Sequence, residues 1–166
     1  MSASSTLFAN EIIAPVFEKD LEKLKELALK APLKRSRLCL HLSHEDQVQE
    51  MVIVLHRDSH IRPHRHQNKV ESFHMIEGSV LISFFDDKGQ IQQNLRLTAD
   101  RPGPFLYRLS APYWHTVLPL TEFAVFHEVS TGPFSASEYP SWEPASDPAA
   151  IQAFREKILN HKGGLS

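Results

Sequence analysis

The chain has little with which to staple itself, cross a membrane or grip a polyanion. Cys39 is the only cysteine in 166 residues, so no intramolecular disulfide can form. That excludes the disulfide-scaffold class and suits a reducing compartment, with the cytoplasm as the expected location. Basic charge is not in excess: 18 Lys and Arg against 20 Asp and Glu leave a formal net charge of -2, which argues against nucleic acid or an anionic membrane as partner. Met1 to Asn10 have no basic stretch leading into a long apolar run, and the apolar runs elsewhere are too short for a bilayer. Neither export nor a membrane span is expected. Repeats, low-complexity tracts and interdomain linkers are missing too. With 42% apolar and 23% charged residues, residues 1–166 read as one domain that buries about two-thirds of its unfolded surface.

What the chain does have is an order of patterns. From Ala14 to Ala31 the segment APVFEKDLEKLKELALKA spaces Phe17, Leu21, Leu24, Leu27 and Ala28 as one face of an amphipathic helix, which Pro32 stops. From about 35 to 131 short β-branched, aromatic and aliphatic runs alternate with turn residues. Strands are expected near 37–42, 48–55, 61–66, 70–76, 79–85, 90–97, 105–109, 114–118 and 123–129. The clearest hairpin link is Asp86-Asp87-Lys88-Gly89, with Gly89 supplying a positive φ. Many short strands with regular turns predict an all-β barrel or jelly-roll sandwich. A wrap from 132 onward, anchored by Phe134, Tyr139 and Trp142, leads to a final helix capped by Asp147, started by Pro148 and ended by Gly163 and Gly164; its stripe is Ile151, Phe154, Ile158 and Leu159.

Histidine is abundant, with ten residues, and it is both the commonest metal ligand and the side chain suited to proton transfer near neutral pH. The informative stretch is Pro63-His64-Arg65-His66-Gln67-Asn68-Lys69-Val70-Glu71, with Gly78 permitting the next turn. Residues two apart on an extended strand share a face, so His64 and His66 can point at one place, and a short turn lets Glu71 face them from the next strand. Roughly one or two chains in a thousand of this composition would carry that spacing by chance. A fourth ligand is expected at His115, alternating with Val117 after the turn at Pro112. Two imidazoles and a carboxylate, joined by a third imidazole, suit one divalent first-row metal: Fe, Mn, Ni, Zn or Cu. The bland reading is a pair of surface histidines beside a solvated glutamate, with His115 bonded to a carbonyl in the core.

The pattern His64-x-His66-x4-Glu71-x6-Gly78 resembles the first signature motif of the cupin superfamily, and His115 with its preceding turn resembles the second. Asp58 stands where a glycine usually opens the first motif, and Ser110-Ala111-Pro112 stands where the second has Pro-x-Gly. The resemblance narrows over residues 35 to 145. Arg35, Arg37, Cys39, His41, Arg62, Lys69, Ser72, Phe73, Phe85, Asp86, Gly89, Trp114, Thr116, Glu128, Gly132-Pro133-Phe134 and Trp142-Glu143-Pro144 are together similar to the WbuC family of cupin-fold metalloproteins, associated with lipopolysaccharide O-antigen gene clusters. That implies a double-stranded β-helix barrel flanked by an N-terminal and a C-terminal helix, a metal site of three His and one Glu, and Glu128 as an acid-base carboxylate. No settled reaction comes with it.

Other residues are candidates for lining the site. Arg35, Arg37, Cys39 and His41 alternate with leucines, so the polar set shares one face. If that face is the lumen, Arg37 and His41 can meet an anionic group. His127 and Glu128 are adjacent, so only one of them faces inward. Lys69 in the motif turn and Tyr107 join Arg37 as substrate-binding candidates, and His41 joins Glu128 for proton transfer. Phe73 and Met75 are wall candidates, whereas His44, His56, His60, His74 and His161 are expected at structural or surface positions.

Four protein ligands leave two positions open on a metal that accepts six. One expectation is thus a metal-dependent enzyme acting on a small polar molecule such as an anionic sugar or nucleotide-sugar, by isomerisation, epimerisation or iron-dependent oxygenation. The alternative is a non-catalytic ligand-binding or sensing module, since fold does not dictate activity. A plain structural subunit is the third, and a homodimer is expected because sheet edges and terminal helices offer contact surfaces.

Overall fold

A computed structural model describes residues 4–144 and 146–161. The order of elements is β1 (Thr6–Phe8), α1 (Glu18–Lys30), β2 (Arg35–Cys39), β3 (Val48–His56), β4 (Glu71–Glu77), β5 (Ser79–Phe85), β6 (Ile91–Thr98), β7 (Leu106–Leu109), β8 (Trp114–Pro119), β9 (Phe123–Thr131) and α2 (Pro148–Leu159). The strands form two sheets, one of six in the order β1-β2-β3-β9-β4-β7 and one of three in the order β6-β5-β8. All pairings are antiparallel except β1 with β2.

Alternation along the strands explains how the layers assemble. Inward residues of the large sheet (Leu55, Phe73, Met75, Tyr107, Ala124, Phe126) meet inward residues of the small one (Val80, Ile82, Phe84, Leu97, Val117) in a single apolar layer. The outward faces are covered by the helices. Leu21, Leu24 and Ala28 of α1 pack on Val52, Val54 and Val125, and Ile158 and Phe154 of α2 pack with Trp142 on Phe85, Trp114 and Leu118. No helix among the described residues is long and apolar enough to cross a membrane.

Several expectations change. The sheets do not close into a barrel, and the strand expected over 61–66 is reduced to two isolated bridges, His64 with His115 and Arg65 with Glu138. Pro63, Pro133, Pro140 and Pro144 lie in the two segments that would have to continue the ladders, and proline has no N–H to donate. β1 was not anticipated. α1 starts at Glu18 rather than Ala14, because the Asp20 carboxylate accepts the Phe17 N–H at 2.9 Å and fixes the first turn there. Phe17, 54% exposed, therefore lies off the buried stripe, as does Leu159 of α2 at 51%. β2 ends at Cys39, so His41 is not on it.

The expected start of α2 is present: Pro148 opens it and Asp147 accepts the Ala150 N–H at 3.0 Å. Gly163 and Gly164 lie outside the described residues. The hairpin from β5 to β6 turns at Gly89, φ +75°, with Asp86 Oδ1 accepting the N–H groups of Lys88 and Gln90, each at 2.9 Å. The Trp142 ring lies flush against Gly89, in contact also with Phe85 and Trp114.

Candidate metal centre

Glu71 opens β4 and His115 lies near the start of β8, both turned inward. Their side chains are 5% and 1% exposed, because β4 is flanked by β7 and β9 while β8 pairs with β5 across Phe84–His115. His64 reaches the same place from an irregular segment, its backbone exchanging both hydrogen bonds with His115 at 2.9 Å. The three rings of His64, His66 and His115 pack together, with centroids 4.5 to 6.1 Å apart. One ring nitrogen from each lies within 4.8 Å of the others, near the span of about 4 Å that two ligands of one ion can have.

The hydrogen bonds of these rings define what they can do. His64 Nδ1 donates to the Arg62 carbonyl at 2.8 Å and His115 Nδ1 to the Tyr113 carbonyl at 3.0 Å. A carbonyl can only accept, so Nδ1 carries the proton in both rings and Nε2 is free to offer a lone pair. His115 Nε2 is buried without a hydrogen-bond partner. It lies 3.2 Å from Glu71 Oε1, close enough for charge to act but without hydrogen-bond geometry, while His66 Nε2 is 3.8 Å from Glu71 Oε2. An orphaned buried nitrogen is costly, and a cation bound by the cluster would satisfy it. The residues present thus fit a metal ion, with Glu71 alongside the three rings.

The electrostatics fit as well. Burial works to raise Glu71, but the nearby His115, the Tyr107 hydroxyl and His66 outweigh it and bring the carboxyl down to about 2. Tyr107 Oη donates to Glu71 Oε1 at 2.6 Å, which orients the carboxylate. Burial first, then His115, holds His64 down to about 3, and burial lowers His66. For His115 burial lowers the value, but Glu71 overrides it and the ring is held above its ordinary value. Protonation of His115 and binding of a divalent ion would therefore compete.

The other expected residues are divided. The register pairs Glu128 with Phe73 and Met51 on the inner face, whereas His127 faces outward, its Nε2 2.8 Å from Glu50 Oε1. Burial and the charge of Glu71 push Glu128 up to about 8, against the pull of Arg37, His115 and Lys69. Ser36 and Leu38 face α1, with Ser36 Oγ donating to the Leu24 carbonyl at 2.6 Å, so the polar residues of β2 lie on the sheet face away from α1. Arg37 is exposed there, and Cys39 is buried, its thiol pushed up mainly by burial. Lys69 Nζ stands 5.5 Å from the Phe134 ring centre. Tyr107 is committed to Glu71. His41 is not brought to the cluster: its Nδ1 is 2.9 Å from the Glu50 carbonyl oxygen and 3.0 Å from the Glu50 nitrogen, and its edge meets Phe8. Sequence reasoning missed Glu138 and Glu143, which bond Arg65 and Arg62 beside the ligands. The available signal was an arginine near each histidine, Arg62 and Arg65.

A family model described as a domain of unknown function (DUF6016) matches residues 16–97, just under half of the chain. No curated protein matches. Among solved structures, CapF with the inhibitor 3-isopropenyl-tropolone is similar at 16% identity and a TM-score of 0.56, over 66% of this chain and 32% of that one. Protein SO0799 from Shewanella oneidensis is similar at 11% identity and 0.50, over 70% and 73%. The Bacillus subtilis oxalate decarboxylase with Mn(II) centres gives 16% and 0.46, over 57% of this chain and 24% of its own. This chain thus spans about a third of CapF and a quarter of the decarboxylase. Likeness at these identities speaks to fold alone, and the match to CapF together with the two-sheet topology gives a β-sandwich of jelly-roll type, whose His64, His66 and His115, next to Glu71, could hold a metal ion.

Proposed function

We propose that the protein binds one divalent transition metal through His64, His66 and His115 with Glu71 as fourth donor, and that it is a metal-dependent enzyme acting on a small polar molecule. The observation that carries this reading is the buried, unpartnered Nε2 of His115 beside two further imidazoles and an ionised carboxylate. The resemblance to the WbuC family supports a sugar or nucleotide-sugar substrate in O-antigen biosynthesis. A bound ion would supply Lewis acidity toward a hydroxyl or carbonyl.

The chain's own groups do the rest. Tyr107 holds Glu71 in one orientation, and the carbonyls of Arg62 and Tyr113 hold His64 and His115 in the tautomer that leaves Nε2 unprotonated. Glu128 has no hydrogen-bond partner among the described residues and is placed to hold or release a proton on the inner face. Arg37 and Lys69 supply positive charge around it.

The test is elemental mass spectrometry on untagged protein purified without added metal. About one iron, manganese, nickel or zinc per chain is expected, falling to background in His64→Ala and His115→Ala while the β-rich circular dichroism persists. Unchanged metal content in both variants would overturn the ligand assignment. Wild-type protein that neither carries nor takes up metal would remove the enzymatic reading with it.

A further inference from the structure

His64 and His66 have no strand to hold them, yet both sit at defined positions, and the reason lies in the wrap. Glu138 exchanges backbone hydrogen bonds with Arg65, at 3.0 and 3.1 Å. Its carboxylate accepts from Arg65 Nε at 2.7 Å and from Gln67 Nε2 at 3.3 Å. One carboxylate thereby gathers the residues on either side of His66. Arg65 is further fixed by the Trp114 ring, 4.1 Å beneath its guanidinium. Ser137, next to Glu138, brings Oγ to 3.5 Å from His66 Nδ1.

A parallel arrangement serves His64. Glu143 takes Arg62 in a two-point pair, Nε to Oε2 at 2.8 Å and Nη2 to Oε1 at 2.5 Å, while the guanidinium lies 3.8 Å from the centre of the Tyr139 ring. The carbonyl of that same Arg62 receives the His64 Nδ1 proton. A planar guanidinium held on two edges and one face cannot rotate freely, so the peptide that orients His64 is fixed from outside the site.

We infer that Glu138 and Glu143 are positioning residues of the metal centre: through Arg65 and Gln67, and through Arg62, the 137–143 segment sets the placement of His66 and His64 and with it the affinity for metal. This rests on the metal-binding reading above. Both ion pairs reach solvent, Arg62 and Glu143 at 51% and 26% exposed and Arg65 and Glu138 at 27% and 44%, and surface pairs add little to fold stability. Groups that orient a metal ligand, in contrast, typically change metal affinity by about 10- to 100-fold when removed. The two readouts therefore separate.

The experiment is a Co(II) titration of the full-length protein, followed by visible absorption and by competition with a chelator, alongside thermal unfolding of the metal-free form. Glu138→Ala and Glu143→Ala should each weaken Co(II) binding by about 10-fold or more and alter the cobalt spectrum, with the metal-free midpoint nearly unchanged. Arg65→Ala combined with Glu138→Ala should be no worse than the poorer single variant, because both act in one chain of contacts. Glu138→Gln and Glu143→Gln, which retain accepting oxygens, should recover part of the loss, and they stand in should an alanine variant fail to fold. Wild-type affinity and spectrum in the variants, with metal bound normally, would overturn this inference alone. Absence of Co(II) binding in wild-type protein would overturn the metal-binding reading, and this inference with it.

Discussion

Glu71 and His115 come from strands, whereas His64 and His66 come from a segment with no ladder of its own, and the two pairs are held by different forces. The strand pair is enclosed by the apolar layer between the sheets and follows from the fold. The segment pair is exposed on one side, His66 at 20%, and hangs between a single bridge to His115 and the contacts of the wrap. A divalent ion bound here would join a rigid half to a half placed by polar contacts with the surface. Such halves respond to different perturbations, and substitutions chosen for each should tell them apart.

The largest effect is expected from removing the common support. Ile82, fully buried between the sheets, should cost about 2 to 5 kcal/mol as Ile82→Ala, read as a lower denaturant midpoint, with both pairs of ligands lost in one transition. Metal binding that survived above the new midpoint would show the segment pair to be independent of the sandwich. Next comes the strand pair alone. Tyr107→Phe removes a buried donor from an ionised carboxylate and should cost about 1.5 to 3 kcal/mol while weakening metal binding. If neither stability nor metal titration changes, Glu71 is not held by the hydroxyl.

The smallest change, per pH unit, belongs to Glu128 on the inner face of β9. Its value in the folded chain, about 8, lies above the ordinary 4.5, so the folded state binds the proton more tightly. The associated stability is present below about pH 4.5 and is lost as pH rises through about 8, at no more than about 1.4 kcal/mol per pH unit. Glu128→Gln should flatten this part of the pH profile in the metal-free protein. A bound cation, which favours the carboxylate, should narrow the window. Identical slopes for the two proteins, measured by denaturant melts from pH 5 to 8, would place the carboxyl in contact with water.

The comparison also marks how far the sequence could be read. Strands such as 48–55, 79–85 and 123–129 were legible because β-branched and aromatic residues alternate and turn residues bound them, and Asp147-Pro148 announces the last helix. The His64-x-His66 spacing was legible for a simpler reason: alternation needs only an extended chain, and it brings both rings to one side even where no ladder forms. The two-sheet architecture was harder. Whether sheets close depends on which segments pair, and the prolines in the 61–66 and 133–144 regions decide that against local strand propensity.

The pairings of Glu138 and Glu143 were invisible, since their partners lie 73 and 81 residues away and nothing local sets a register over that distance. The choice between His127 and Glu128 required the pairing with Phe73. His41 looked suited to the lumen as long as β2 was extended through it, and ending the strand at Cys39 turned it toward Glu50.

Gly89, at the tip of the β5–β6 hairpin, takes on another meaning beside the wrap. A Cβ there would stand 2.7 Å from Trp142, so the indole can lie flat only because a hydrogen atom faces it. Trp142 immediately precedes Glu143, and Glu143 grips the arginine whose carbonyl aims His64. The hairpin tip is thus a fulcrum: a methyl group at residue 89 would lift the indole and, through one peptide and one ion pair, swing an imidazole far from it in sequence. Glu71 and His115 take their places from the sheets, whereas the aim of His64 runs back through Arg62, Glu143 and Trp142 to a turn without a side chain.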